Sequence, residues 1–195
     1  MNNILSEKEY QRFIIDKLFV ENGYIERKNV KFDRKFAIDR EMLFKFLDDT
    51  QPEAMAQIRK VYKDVTEDTV VNFINTEITK AKSSLLSVLK HGVEIAGYKL
   101  DLMYTKPATT FNKDLLAKYN KNVFSVMEEV WASDTERIDL VVFLNGFAIM
   151  SFELKCNFAG QSYQDAILQY RRKRGCSISR RGVSSTLQWT CRKCI

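Results

Sequence analysis

In the run ERIDLVVFLNGFAIMSFELK, Asp139 interrupts one strongly apolar stretch, and fourteen residues later Glu153 and Lys155 close the next. Two converging carboxylates are hard-oxygen ligands that hold Mg²⁺ while leaving positions for water. A metal held in this way acidifies a bound water, polarises a phosphodiester and shields its charge. A lysine two residues from the acid can orient the attacking hydroxide or steady the charge of the phosphorane. The chemistry these types suit is hydrolysis of a phosphodiester, with Asp139 and Glu153 on a metal and Lys155 beside the water.

The elements that must position them are two strands, Arg137 to Leu144 and Phe147 to Leu154, joined by Asn145-Gly146, a strong hairpin signal. Residues two apart on a strand share a face, so Glu153 and Lys155 point the same way. Whether Asp139 joins them depends on register. A two-residue Asn-Gly loop places Asp139 opposite Phe152, away from Glu153. A three-residue loop with Gly146 left-handed places it opposite Ser151 and diagonal to Glu153, within roughly 8 Å. The functional reading therefore requires that bulged turn or an equivalent bulge nearer the acids. The spacing alone occurs by chance, and a hairpin with solvated charges at its strand ends would show it too. The apolar context adds weight, because burying such charges is expensive unless a metal or partner compensates.

The first half of the chain reads as helices between residues 6 and 90. Ser6 and Glu9 form a capping box, with Tyr10, Phe13, Ile14, Leu18 and Phe19 at helical spacing and Asn22-Gly23 as the stop. Ile38 to Leu47 follows, with Asp39 as candidate cap. A third helix opens at Thr50-Gln51-Pro52, with Met55, Ile58, Val61 and Tyr62 as its stripe. A fourth, capped by Thr66 or Asp68, turns Val70, Phe73, Ile74 and Ile78 inward. Ser84 to Leu89 continues it or starts a fifth, ending at His91-Gly92. The sheet core then spans residues 98 to 155, with strands at Lys99–Thr105 and from Asn122 to Val126 or Trp131, and a helix covers Ser162 to Arg174. Trp131, Phe143, Phe147 and Phe152 read as core.

The chain has 195 residues, 45% hydrophobic and 12% aromatic, enough for a packed core. Its net charge is +6, yet eight basic and no acidic residues lie between Arg171 and Ile195. The remainder carries 23 basic against 25 acidic residues, so the high isoelectric point is poor evidence for a DNA-binding surface on the body. This disfavours a basic structural or transcriptional protein. Cys191 and Cys194 form a lone C-x-x-C, half a zinc site. No apolar run approaches the length of a membrane span, and no basic stretch followed by an apolar one opens the chain. A cytoplasmic protein with no membrane partner is expected.

An acid followed by Glu-x-Lys at the end of an apolar strand is the layout of the PD-(D/E)xK nucleases, with Ile138 here in place of the proline. Further residues narrow the likeness: Ser6-Glu7 with Tyr10, Gly23-Tyr24, Thr50-Gln51-Pro52-Glu53, Leu89 to Val93, Arg137 to Val141, Phe152 to Lys155, and Gly160 to Arg171. Over residues 6–174 the chain resembles the N-terminal nuclease domain of the type I restriction enzyme R (motor) subunit. The resemblance implies an α/β fold, a restriction-endonuclease-like mixed sheet flanked by helices with a helical N-terminal half. It implies a nuclease domain over 1–174 acting as a Mg²⁺-dependent type I site-specific deoxyribonuclease. Asp139, Glu153 and Lys155 match the family's catalytic acid, acid and lysine, with Asp139 and Glu153 on the metal. Tyr170 matches the tyrosine of the family's Q-x-x-x-Y motif, proposed to contact DNA; position 166 is Ala, and Gln164 and Gln169 are the nearby amides. Gln11 stands where such folds often carry an extra acid. The implied partners are DNA and the methyltransferase (M) and specificity (S) subunits. Full-length members need ATP, but G-x-x-x-x-G-K-[ST] does not occur in this chain, so it holds no ATP site of that kind. The competing reading is a non-catalytic docking or DNA-binding fragment of the R subunit.

Family members continue from the Gln-Tyr-Arg run towards a segment like H-F-A-V-D, whereas this chain turns to Gly175-Cys176-Ser177. Synonymous codons from Ile178 onward permit a shifted frame that contains HFAVD. Residues 175–195 are thus expected to be an out-of-frame tail with no native packing role, disordered or packed by accident, leaving the domain without its last strand. Sequencing the coding DNA should reveal the family continuation in a shifted frame beginning near Arg174; its absence from every frame rejects the idea.

Overall fold

The computed structural model describes residues 7–80, 83–109, 111–156 and 185–191. Helix α1 (Glu7–Ile14) loosens into a π-turn at Ile15–Phe19 and a 3₁₀ turn at Val20–Asn22, and Gly23, at φ +83°, ends it. The expected Ser6 cap lies outside the described residues. The buried face differs from the expected stripe both before and within the π-turn. Gln11, Ile14, Ile15 and Phe19 point inward, while Phe13 and Leu18 are 52% and 42% exposed.

Three short strands follow that the sequence does not announce: β1 (Ile25–Arg27), β2 (Phe32–Asp33) and β3 (Ile38–Asp39). Helices α2 (Arg40–Thr50), α3 (Pro52–Tyr62), α4 (Thr66–Thr79) and α5 (Leu85–His91) then build the helical half. Asp39 caps α2 as expected, its Oδ1 accepting from Met42 N at 3.2 Å. Pro52 opens α3, where its missing N–H costs nothing. The candidate caps of α4 are used otherwise: Thr66 Oγ1 donates to Lys63 O, and Asp68 pairs with Arg40. Ser84 caps α5, which is a separate fifth helix. Leu43, Phe46, Leu47, Met55, Ile58 and Val70 form the centre of this half's core, while Val61 and Phe73 are exposed.

β4 (Val93–Ile95) and β5 (Tyr98–Leu100) form a separate antiparallel pair. The strand expected to reach Thr105 stops at Leu100. The Gln51 side chain occupies the backbone of Asp101 next to it, donating to its carbonyl at 2.8 Å and accepting its N–H at 2.7 Å. Helix α6 (Lys113–Tyr119), capped by Asn112, lies where no helix is expected.

The main sheet is completed by β6 (Phe124–Trp131), β7 (Arg137–Leu144), β8 (Phe147–Cys156) and β9 (Ser185–Cys191). Its order is β1-β6-β7-β8-β3-β2, with β9 also on β8. β1 and β6 run parallel, as do β8 and β9, and the other neighbours are antiparallel, so the sheet is mixed. β9 pairs with β8 from Met150↔Ser185 to Cys156↔Cys191. Residues 185–191 thus pair along β8. β8 extends past the end of β3, and its remaining N–H and C=O groups take a parallel partner there. Phe143, Phe147 and Phe152 are core, but Trp131, the last residue of β6, is 50% exposed.

The turn between β7 and β8 is a two-residue Asn145-Gly146 turn with both φ angles positive. Asn145 is fully buried. Its Oδ1 accepts Val123 N at 2.7 Å, and its Nδ2 donates to Leu102 O at 2.9 Å and Asn122 Oδ1 at 3.0 Å. Gly146 O accepts the Asp39 N–H at 2.8 Å. A Cβ at Gly146 would press on Asp39 O and lie 2.8 Å from Leu43 N, whereas one at Gly23 meets nothing within 4 Å. Gly146→Ala is expected to cost about 3 kcal/mol or more, combining the left-handed conformation with overlap on rigid backbone. Gly23→Ala should cost about 1–2 kcal/mol, from conformation alone. Urea unfolding of both checks this, and equal losses would contradict it.

Candidate active site

From the turn, β7 and β8 begin in the register Leu144↔Phe147 and Phe143↔Ala148. The next pair is Val142↔Met150, which leaves Ile149 as one extra residue on β8, a β-bulge. Val141↔Ser151 and Leu140↔Phe152 follow, and one residue further the same register sets Asp139 across from Glu153. The three-residue loop is not used; the bulge further along the hairpin replaces it. The last printed pair of this ladder is Leu140↔Phe152, so Asp139 and Glu153 are the next positions on the two strands rather than the diagonal ones of the three-residue loop.

The side chains hold this arrangement. Asp139 is half-buried, and its Oδ2 accepts the Leu154 N–H at 2.6 Å, which pins the carboxylate against β8 immediately beyond Glu153. Glu153 is 3% exposed. Leu140, Phe152 and Leu154, which flank the acids, pack against Ile14, Ile15 and Phe19 of the first helical segment. The apolar neighbours thus fix the two strands that carry the acids.

Lys155 stands two residues beyond Glu153, its backbone in register with Thr190 of β9. Its side chain lies outside the described residues, as do Gln164, Gln169 and Tyr170. Gln11 reaches the region from α1, its Nε2 donating to Asp139 O at 3.4 Å and Glu128 Oε2 at 3.3 Å. Glu128 and Glu129 on β6 escape a reading of motifs; two consecutive acids inside an otherwise apolar strand were the available signal. Glu129 has φ +51°, left-handed for a residue that is not glycine. Around it Glu128↔Leu140 and Val130↔Ile138 pair, while the position between them, Glu129 across from Asp139, does not. Asn29 Nδ2 secures the kink by donating to Glu129 O at 3.2 Å.

Among the described residues, no three side chains of His, Cys, Asp or Glu gather closely enough to enclose a metal by themselves. No helix among them is long and apolar enough to cross a membrane.

A mixed sheet flanked by helices gives the chain a restriction-endonuclease-like α/β fold. Residues 4–184 match the family described as type I restriction enzyme R protein N terminus, and the chain belongs to that family. Comparison with curated proteins gives no match. Membership sets the chain in a type I restriction system, in a nuclease-related part of the R subunit.

The Asp139 carboxylate should be visible at a single amide. Hydrogen bonds to charged groups contribute about 1.5–3 kcal/mol. Asp139→Ala is therefore expected to speed hydrogen exchange at the Leu154 N–H by about tenfold or more, measured by NMR. Unchanged exchange would show that the bond does not hold in solution.

Proposed function

We propose that the chain is the Mg²⁺-dependent endonuclease module of a type I restriction-modification system, hydrolysing DNA phosphodiesters. The observation that supports this reading is the register beyond the Ile149 bulge, which pairs Leu140 with Phe152 and makes Asp139 and Glu153 the next positions on adjacent strands. Two carboxylates at adjacent strand positions are the donor set Mg²⁺ favours, since it keeps several waters and takes few protein ligands. When bound, the metal supplies an acidified water and shields the phosphate charge.

The chain's own residues do the rest. Asp139 and Glu153 supply ligand oxygens, and the Leu154 N–H orients the Asp139 carboxylate in advance. Pre-orientation matters because a loosely held ligand must be ordered at the expense of binding. Lys155 orients the attacking water and steadies developing negative charge, and Gln164, Gln169 and Tyr170 contact DNA. The chain works with M and S subunits, the S subunit carrying the choice of sequence.

Supercoiled plasmid incubated with the purified chain and Mg²⁺ tests this. Nicking should fall by about a hundredfold or more in Asp139→Ala and in Lys155→Ala, the scale of losing one preorganised charge-stabilising group. Nicking that persists in both variants would reject the site.

A further inference from the structure

α1 presents an apolar face to the sheet, with Ile14, Ile15 and Phe19 packed on Leu140 and Phe152. One inward residue breaks that face: Gln11, 7% exposed. A buried amide is retained at a cost unless it is hydrogen-bonded. The Gln11 nitrogen meets two acceptors from two strands, the Glu128 carboxylate on β6 and the Asp139 carbonyl on β7. Asp139 lies at, and Glu128 immediately before, the interruption in the β6–β7 ladder where Glu129 turns left-handed. The amide thus supplies a hydrogen bond at the one place where the neighbouring strand's regular pairing lapses. Glu128, as an acceptor only, determines that the nitrogen of the amide faces inward.

We propose that Gln11 is a positioning residue for Asp139: its amide, oriented by Glu128, braces the Asp139 backbone from one side while the Leu154 N–H holds the carboxylate from the other. This rests on the reading of Asp139 as a metal ligand. Gln11 itself touches no metal. It makes the strand rigid where the ladder is open, so that the carboxylate arrives in one orientation. Groups that orient metal ligands typically change metal affinity or activity by about 10–100-fold when removed. A carboxylate at position 11 would face the Glu128 carboxylate and the Asp139 carbonyl, both electron-rich.

The test is Mn²⁺ binding to the full chain without DNA, followed by electron paramagnetic resonance, with a thermal melt of each variant. Gln11→Met keeps the shape and removes the donor; it should weaken Mn²⁺ about tenfold or more. Glu128→Ala releases the amide's orientation from the half-buried β6 side and should weaken it in the same direction. Gln11→Glu should bind no better than Gln11→Met. Asp139→Ala should remove binding. If Gln11→Met lowers the melting temperature enough to confuse its reading, Glu128→Ala decides. Parent-like Mn²⁺ affinity in Gln11→Met and Glu128→Ala, with binding lost in Asp139→Ala, overturns the positioning role and leaves the metal reading standing. Tighter binding in Gln11→Glu overturns it in favour of a direct ligand position. Unchanged binding in Asp139→Ala overturns the metal reading and this inference together.

Discussion

The carboxylate of Asp39 is fully buried, and the sheet and the helical half are joined through it. A charge in that position costs several kcal/mol unless it is fully engaged. Arg27 Nε and Nη2 reach it at 2.8 and 3.3 Å, and the Met42 N–H at the start of α2 donates to it. Arg27 in turn holds Glu41, at 2.9 Å, and hydrogen bonds from Lys31 and Arg27 push Glu41 down to about 2. The hydrogen bond to Asp39 makes the Arg27 guanidinium still harder to deprotonate. One residue thus couples a parallel edge strand, a helix start and, through its N–H on Gly146 O, the turn of the central hairpin. Removing either partner of such a pair strands the other and costs about 3–5 kcal/mol.

The site inherits its geometry from that turn. Asn145 and Gly146 cannot move independently of Asp39, Asn122 and the 101–105 segment, so the register of β7 against β8 is set at a buried, fully bonded point. From there the ladder carries the register up the strands, and Ile149 shifts it by one residue. Because side chains alternate with a period of two, a shift of one residue decides whether two acids meet or face opposite ways. At the far end, apolar contacts beneath α1 and the Asp139–Leu154 bond close the arrangement.

The strands of the hairpin, its Asn-Gly turn, the Asp39 cap and the Pro52 helix start were legible because each is a local preference with a local cause. The two acids were legible as types in an apolar context. Their meeting was not, since a bulge at Ile149 leaves no mark in a run of apolar residues. The inward face of the first helix departs from the apolar pattern: Phe13 and Leu18 are exposed while the polar Gln11 is buried, which the spacing of apolar residues does not mark. Long-range side-chain bonds decided the remaining differences. Gln51 at Asp101 shortened a strand, and Asn122 with Asn145 tied a loop to a turn 23 residues away.

β8 keeps two different partners along one edge. Phe147 pairs with β3, and the Ala148 N–H reaches Ala37 O at 3.4 Å. Pairing with β9 begins at Met150. Ile149 falls in the seam between them, where the extra residue disturbs the β7 ladder and neither neighbour on the other side. A residue gained or lost at that seam would turn every later side chain of β8, Glu153 included, to the opposite face of the sheet.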